Sequence, residues 1–249
     1  MKSKSSSSSS SAPRIVSREA WLAARRQHLA QEKEFTRRRD ELSRERRELP
    51  WVKVEQDYVF TGPKGARRLS ELFEGCSQLI VYHFMFGSGW EEGCRGCSYV
   101  ADHFAGMLPH LRARDVALVA VSQAPLAEFQ PFRRRMGWKF PWLSAHGSTF
   151  NRDFGVSWTP QEIEAGKVDY NYGLREVPME EMPGLSVFIR NEAGEIFHTY
   201  STYSRGLDLL LGTYNYLDLV PKGRDEEELE QSMQWVRHHD RYEAKTAAG

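Results

Sequence analysis

The stretch from Leu79 to Leu111, LIVYHFMFGSGWEEGCRGCSYVADHFAGMLPHL, constrains this chain more than any other. Leu79 to Phe86 is an unbroken apolar run of strand length, rich in β-branched and aromatic residues, and the breakers Gly87, Ser88 and Gly89 end it. It reads as a core strand running into a loop. After Cys97, the residues Val100, Phe104, Met107, Leu108 and Leu111 recur at helical spacing, which predicts that Cys94 and Cys97 sit at the first turn of a helix. Unpaired backbone N–H groups and the positive end of the helix dipole at such a turn favour thiolate over thiol at Cys94. A dithiol held this way can work as a redox couple.

Composition sets the surroundings. The chain has 249 residues and only three cysteines, which argues against a secreted disulfide scaffold. The usage fits a reducing compartment, where a Cys-x-x-Cys pair is catalytic or metal-binding. Thirty-four basic residues balance 34 acidic ones, so the charge recommends neither nucleic acid nor an anionic membrane as partner. No stretch approaches the roughly 18 apolar residues of a membrane span. The opening MKSKSSSSSSSAP has no apolar run behind its lysines and fails as a signal peptide. Residues 1–16 therefore read as a disordered Ser-rich tail, and the protein as cytoplasmic. One core with appendages is expected from this length.

A long helix follows over residues 17–50, capped by Ser17, free of Gly inside and stopped by Pro50. Its apolar stripe is thin, with Leu22 and Leu29, then Phe35, Leu42 and Leu49, at heptad spacing; such a stripe can dock on a body or on a second subunit. The arginines at 37–39, 44, 46 and 47 are interleaved with acids and read as a solvated, salt-bridged face. A domain is expected over 51–220. Within it, Val52 to Phe60 reads as a strand entering a hairpin at TGPKG, Arg68 to Phe73 as a helical turn, and Val116 to Val121 as a buried strand. Pro125 opens a helix that Gly137 closes, and Trp142 to Ala145 reads as a short strand. Residues 151–182 look like an irregular insertion. Leu185 to Arg190 and Glu195 to Ser201 form a hairpin across Asn191 to Gly194, and Gly206 to Leu219 a closing helix. The charged segment 221–249 is expected to hold a surface helix from Asp225 to Ala244, packed through Leu229, Met233, Trp235 and Val236.

The order strand, Cys-x-x-Cys helix, strand, helix, proline, hairpin, helix is similar to the thioredoxin fold, an α/β architecture with a central mixed sheet flanked by helices. The thioredoxin resemblance implies that Pro183, just ahead of LSVF, stands where those proteins carry a cis-proline facing the cysteines. More closely, the chain resembles the bacterial thioredoxin-like family known as domain of unknown function 899. The segments that carry the resemblance are SREAWLAARRQHLAQEKEFTRRRDELSRERRELPWV, YHFMFGSGWEEGC with CSYVADHF, VALVAVSQAPLAEFQPFRRRMGWKFPW, PGLSVF and YSTYSRGLDLLLGTYNYLDL. This family implies a fold and no settled reaction. The sequence departs from named enzymes at GCRGC, where Gly96 replaces the proline of thioredoxin's WCGPC. The peroxiredoxin Pro-x-x-x-Thr-x-x-Cys signature is also missing ahead of Cys94.

The site is therefore read from its residues. Cys94, at the loop end, is the expected nucleophile toward a disulfide-containing protein or a small thiol substrate, and Cys97 the resolving thiol; Trp90 and Pro183 are the expected substrate-binding residues. Arg95 favours the Cys94 thiolate, and Glu91 and Glu92 oppose it if they lie close. No cofactor is expected. Two other readings stay open. Cys94 and Cys97 have the spacing of half a zinc site, which His83 or His103 would have to complete. Alternatively the body has kept its fold as a binding scaffold, with Trp90, Trp138, Trp142, Trp158, Tyr200 and Tyr203 lining a pocket near the cysteines or, more ordinarily, filling the core. Cys76 reads as an inert buried thiol, His198 as a strand-face residue, and His238, His239 and Asp240 as a solvated helix end. A homodimer through the N-terminal helix is compatible with the stripe.

Overall fold

The computed structural model describes residues 13–243, so residues 1–12 of the Ser-rich tail and Ala244 lie outside the described residues. The chain divides into two units between Leu49 and Pro50. The first is helix α1, Arg18–Arg47, whose start is capped by Ser17, its Oγ accepting the Ala20 N–H at 3.2 Å. Ala, Leu, Glu and Arg dominate α1, and intrahelical pairs such as Arg37 with Glu34, Arg38 with Glu41 and Arg44 with Glu48 line its faces. Of its thin stripe, Leu29, Phe35, Leu42 and Leu49 are exposed and Leu22 is half-buried.

The second unit opens with β1 (Val52–Lys53), β2 (Val59–Gly62) and β3 (Gly65–Arg68), the last two joined by the TGPKG turn, and then a 3-10 turn over Leu69–Phe73. The core strand is β4 (Gln78–His83), followed by α2 (Arg95–Ala101), α3 (Phe104–Arg112), β5 (Val116–Ser122), α4 (Leu126–Arg135) and β6 (Trp142–Ser144). The insertion supplies α5 (Phe150–Asp153), α6 (Pro160–Glu164) and the small hairpin β7 (Val168–Asp169) with β8 (Leu174–Arg175). The chain then makes the hairpin β9 (Gly184–Arg190) and β10 (Ile196–Tyr203), a 3-10 turn over Ser204–Leu210, and α7 (Gly212–Leu217).

Eight strands form one sheet in the order β1-β10-β9-β4-β5-β6-β2-β3. The pairs β4·β5 and β5·β6 are parallel, whereas β9 runs antiparallel to β4 and to β10. A parallel βαβ unit carrying the cysteines on its crossover, flanked by an antiparallel hairpin, is the thioredoxin-like arrangement. Strand β4 carries Leu79, Ile80, Val81 and Tyr82 in succession because both its faces are covered. Tyr82 points into a cluster with Phe84, Phe86, Cys97, Phe104, Phe129 and Trp142, while Leu79 and Val81 join Val119, Val121, Phe150 and Phe188 on the other side.

Four expected elements differ. The strand expected from Val52 to Phe60 is divided into β1, which pairs with β10 at one edge of the sheet, and β2, which pairs with β3 and β6 toward the other. The helix after Cys97 is broken at Asp102 and His103, whose side chains are drawn elsewhere: Asp102 accepts from Trp138 Nε1 at 2.8 Å, and His103 Nε2 accepts the Thr213 N–H at 3.0 Å. The closing helix is split at Leu211, which leaves helical geometry (φ −88°, ψ 82°). The segment from Asp225 is not a helix. Asp225 and Met233 have φ of 53° and 65°, which a regular right-handed helix does not allow. Its backbone is organised instead around Glu226, whose Oε1 accepts from Tyr214 Oη (2.7 Å), Trp235 Nε1 (2.6 Å) and the Met233 N–H (3.0 Å). It still packs inward, with Val236 buried and Leu229, Met233 and Trp235 half-buried.

Candidate functional site

Strand β4 ends at His83, three residues before the apolar run does, and residues 84–93 form a loop, buried at Phe84–Gly87 and at Gly93 and exposed at Ser88, Gly89 and Glu91, that delivers the chain to α2. Two backbone bonds fix its ends: Ala124 N–H donates to Phe86 O at 2.9 Å, and Cys94 N–H to Met85 O at 3.1 Å. Gly93 is required here, since a Cβ would lie 2.6 Å from the Phe84 ring and 2.9 Å from that of Phe132. Cys94 is the N-cap residue of α2, and its carbonyl accepts from both the Ser98 N–H (2.9 Å) and Ser98 Oγ (2.8 Å).

The two sulfurs have opposite environments. Cys94 is half-buried and Cys97 fully buried, both as free thiols. The Cys97 side chain hydrogen-bonds the Cys94 sulfur; with the N–H groups of Cys97 and Gly96 and the charge of Arg95, this outweighs desolvation and lowers the Cys94 thiol to about 7. Burial pushes the Cys97 thiol up, and the Cys94 charge adds to this, although the Tyr82 hydroxyl and the Met85 N–H (3.4 Å) both bond its sulfur. Glu92, expected to oppose the thiolate if close, is occupied by Arg135 and Arg241.

The last described segment straps this loop. His238 is buried, contrary to a solvated helix end; its Nε2 hydrogen-bonds the Gly93 carbonyl at 3.0 Å, and its Nδ1 lies 2.9 Å from Arg135 Nη2. Arg135 also pairs with Asp240 at 3.0 Å. Met233 Cε reaches within 3.5 Å of where a Gly96 side chain would begin, which places it over the cysteine turn.

The other side of the loop faces a cavity of about 510 Å³ lined by Gly87, Trp90, Gln123, Ile163 and Glu181, among others. Trp90 Nε1 and Glu181 Oε1 meet over Gly87, within 2.9 and 3.3 Å of the position of a Cβ there. Glu181 is buried; burial raises its carboxyl to about 7, the Phe86 N–H works against this, and the charges of Glu180 and Cys94 add to it.

Of the residues expected to bind substrate, Trp90 lines this cavity. Pro183 is half-buried one residue ahead of β9, and its carbonyl accepts from Tyr170 Oη at 2.8 Å. Among the described residues there is no cis peptide bond, so the cis-proline implied for Pro183 is absent. The histidines considered as zinc ligands are engaged elsewhere. His83 is buried between Asn151 Oδ1 (3.0 Å) and Ser186 Oγ (2.9 Å), and His103 between Tyr99 O and Thr213. Among the described residues, no group of three or more His, Cys, Asp and Glu is gathered around one point that would hold a metal ion. The aromatic residues split between two clusters, Trp138 and Trp142 in the main core and Tyr203 in a smaller one with Trp158 packed against it, instead of lining one pocket. His198 is a partly buried strand residue bonded to Ser201 Oγ at 2.7 Å, and Cys76 is buried. Sequence reasoning missed Glu181 and Tyr82 and misread His238: the first lies in the irregular insertion, Tyr82 carries no spacing that marks it, and His238 is buried through a contact 145 positions away.

The parallel βαβ unit, its flanking antiparallel hairpin and the cysteine-bearing helix start make this a thioredoxin-like fold with two neighbouring free thiols. The chain belongs to the family described as bacterial protein of unknown function, DUF899, whose model matches residues 10–242. No curated protein matches it. Solved structures that resemble it include peroxidoxin BcpB from Mycobacterium tuberculosis, with 20% identity over 66% of this chain and 95% of that one and a TM-score of 0.42. Peroxiredoxin Q from Xanthomonas campestris is 12% identical over 68% and 98%, TM-score 0.45. A protein described as a putative thiol:disulfide interchange protein DsbE from Chlorobium tepidum is 16% identical over 66% and 99%, TM-score 0.39. Among the described residues, no helix is long and apolar enough to cross a membrane.

Proposed function

We propose that the protein carries out thiol–disulfide exchange, with Cys94 as nucleophile and Cys97 as resolving thiol, on a disulfide-containing protein or a small disulfide. One observation carries this reading: Cys94 caps α2 with its thiol lowered to about 7, while its partner at Cys97 is held protonated by burial. At neutral pH such a pair has one thiolate ready to attack and one thiol in reserve. Cys94 forms a mixed disulfide and expels one substrate thiolate; Cys97 then attacks the Cys94 sulfur and releases the other. In this reading Trp90, which packs against the same core cluster as Cys94, gives the substrate an apolar wall, and Pro183 is assigned to substrate binding by its place ahead of β9. A reducing cytoplasm is the setting this chemistry suits, and α1 offers its stripe of Leu22, Leu29, Phe35, Leu42 and Leu49 for pairing with a second copy.

The test is to equilibrate the protein in graded glutathione buffers, trap free thiols and count them by mass. One two-electron transition that disappears in Cys94→Ser and in Cys97→Ser supports the reading. Thiols that never pair in the wild-type protein refute it.

A further inference from the structure

We infer that the cavity between the insertion and β10 is a second binding site, which takes a small uncharged aromatic molecule through one O–H donated to His198 Nδ1, a phenol being the simplest case. The inference does not rest on the exchange reading above.

A buried chain of hydrogen bonds sets the imidazole. It crosses three neighbouring strands, from His83 at the end of β4 through Ser186 on β9 to Ser201 and His198 on β10, and α5 adds Asn151. The steps are Asn151 Oδ1 to His83 Nδ1 (3.0 Å), His83 Nε2 to Ser186 Oγ (2.9 Å), Ser186 Oγ to Ser201 Oγ (2.8 Å) and Ser201 Oγ to His198 Nε2 (2.7 Å). Asn151, His83, Ser186 and Ser201 are all buried. Both ends give the chain the same direction. At one end Asn151 Oδ1 can only accept, so His83 donates from Nδ1 and accepts at Nε2 from Ser186, which in turn accepts from Ser201. At the other, the Tyr200 carbonyl lies 3.0 Å from His198 Nε2 and can only accept, so that nitrogen carries the hydrogen and donates to Ser201 as well. The Tyr203 hydroxyl, which also nears Ser201, is committed to the Phe154 carbonyl at 2.9 Å. The one tautomer of neutral His198 that satisfies every member leaves a lone pair on Nδ1.

That lone pair is unused. Among the described residues Nδ1 has no partner, and it is not one of their buried unpaired atoms, so water reaches it. Burial lowers the His198 pKa, against the Tyr200 bond, so the ring stays neutral at pH 7 and offers an acceptor there instead of a donor. His198 stands in the wall of a cavity of about 590 Å³ with Phe154, Trp158, Tyr172 and Tyr203, a size that holds a small ligand. The charges around it do not favour an anion. Arg152 is held by Glu162 in two hydrogen bonds, at 2.6 and 2.8 Å, and Lys167 stands against both Asp153 and Asp169 in the same lining. A ring that packs on aromatic side chains and carries a single neutral donor complements those walls and that acceptor.

Two probes test this on the full chain: p-cresol and p-methylanisole, which share a ring and a methyl group and differ in the O–H. With the histidines isotopically labelled on their ring nitrogens, the His198 Nδ1 resonance should be that of an unprotonated nitrogen at pH 7.5. It should move on adding p-cresol and stay put on adding p-methylanisole. By calorimetry we expect p-cresol to bind about three- to tenfold more tightly, the worth of one net hydrogen bond. His198→Phe, which keeps a ring and removes the acceptor, should erase that difference. A hydrogen found on Nδ1 in the wild type, binding of neither probe, or equal affinities for both in the wild type overturns the inference. So does a preference for p-cresol that survives in His198→Phe, or p-cresol binding that leaves the Nδ1 resonance where it was.

Discussion

Burial of His83 should make this protein acid-sensitive by an amount that can be worked out. The imidazole is 2% exposed, bonded to Asn151 and Ser186, and stacked on Phe150 with ring centroids 5.4 Å apart. Burial is the main cause that lowers its pKa to about 4; the Asn151 bond works the other way, and the charge of His198 adds to the lowering. In the unfolded chain the group titrates near 6.5. Between these values the unfolded state binds a proton that the native state refuses, so stability is complete above about pH 6.5 and falls as pH drops toward 4. A gap of about two and a half pK units corresponds to about 3 kcal/mol, a sizeable part of a domain's total stability. Urea unfolding between pH 7.5 and 4.5 measures it. His198, whose pKa is also lowered, contributes in the same direction, so the comparison is with His83→Gln. That variant should lose about 1–3 kcal/mol at pH 7.5, through weakened buried hydrogen bonds, yet show a shallower decline with acid. If the wild type and His83→Gln lose the same stability between pH 7.5 and 4.5, the imidazole is not the titrating group.

Removing the hydrogen-bonding thiol in Cys97→Ala should raise the Cys94 pKa above about 7, so iodoacetamide alkylation at pH 7 slows and its midpoint moves up; an unchanged midpoint would refute the role assigned to that bond. Trp142→Ala empties a fully buried site packed against Phe84 (4.5 Å) and Phe129 (4.6 Å), and should cost about 3–5 kcal/mol in denaturant unfolding. His238→Ala leaves the Gly93 carbonyl without its partner and should cost about 1–3 kcal/mol, with faster proteolysis within 225–243 than in the wild type. If α1 pairs two copies, the full chain sediments as a dimer and a chain beginning at Trp51 as a monomer; equal stoichiometry for both removes that proposal.

The elements legible in the sequence are those whose periodicity comes from a single partner. The sheet core announces itself through unbroken apolar runs at β4 and β5, and the β9–β10 hairpin through its turn at Asn191 to Gly194. Cys94 and Cys97 were legible because a helix start has a local signal. What stayed hidden was set by contacts distant in sequence. The break at His103 depends on Thr213, more than a hundred positions away, and the shape of 225–243 depends on three donors converging on Glu226. Glu181 looks like an ordinary surface acid beside Glu180 until the fold buries it. The cis-proline implied at Pro183 came from resemblance to thioredoxins, and this chain departs from them there.

The closure of His238 onto Gly93 joins positions 145 residues apart, and it has a consequence for how the protein is made. During synthesis the cysteine loop emerges well before the segment that pins it. Until residues 233–241 have followed, Glu92 lacks its Arg241 partner and the Gly93 carbonyl lacks the His238 ring. The nascent dithiol is then more open to stray oxidants than the finished one.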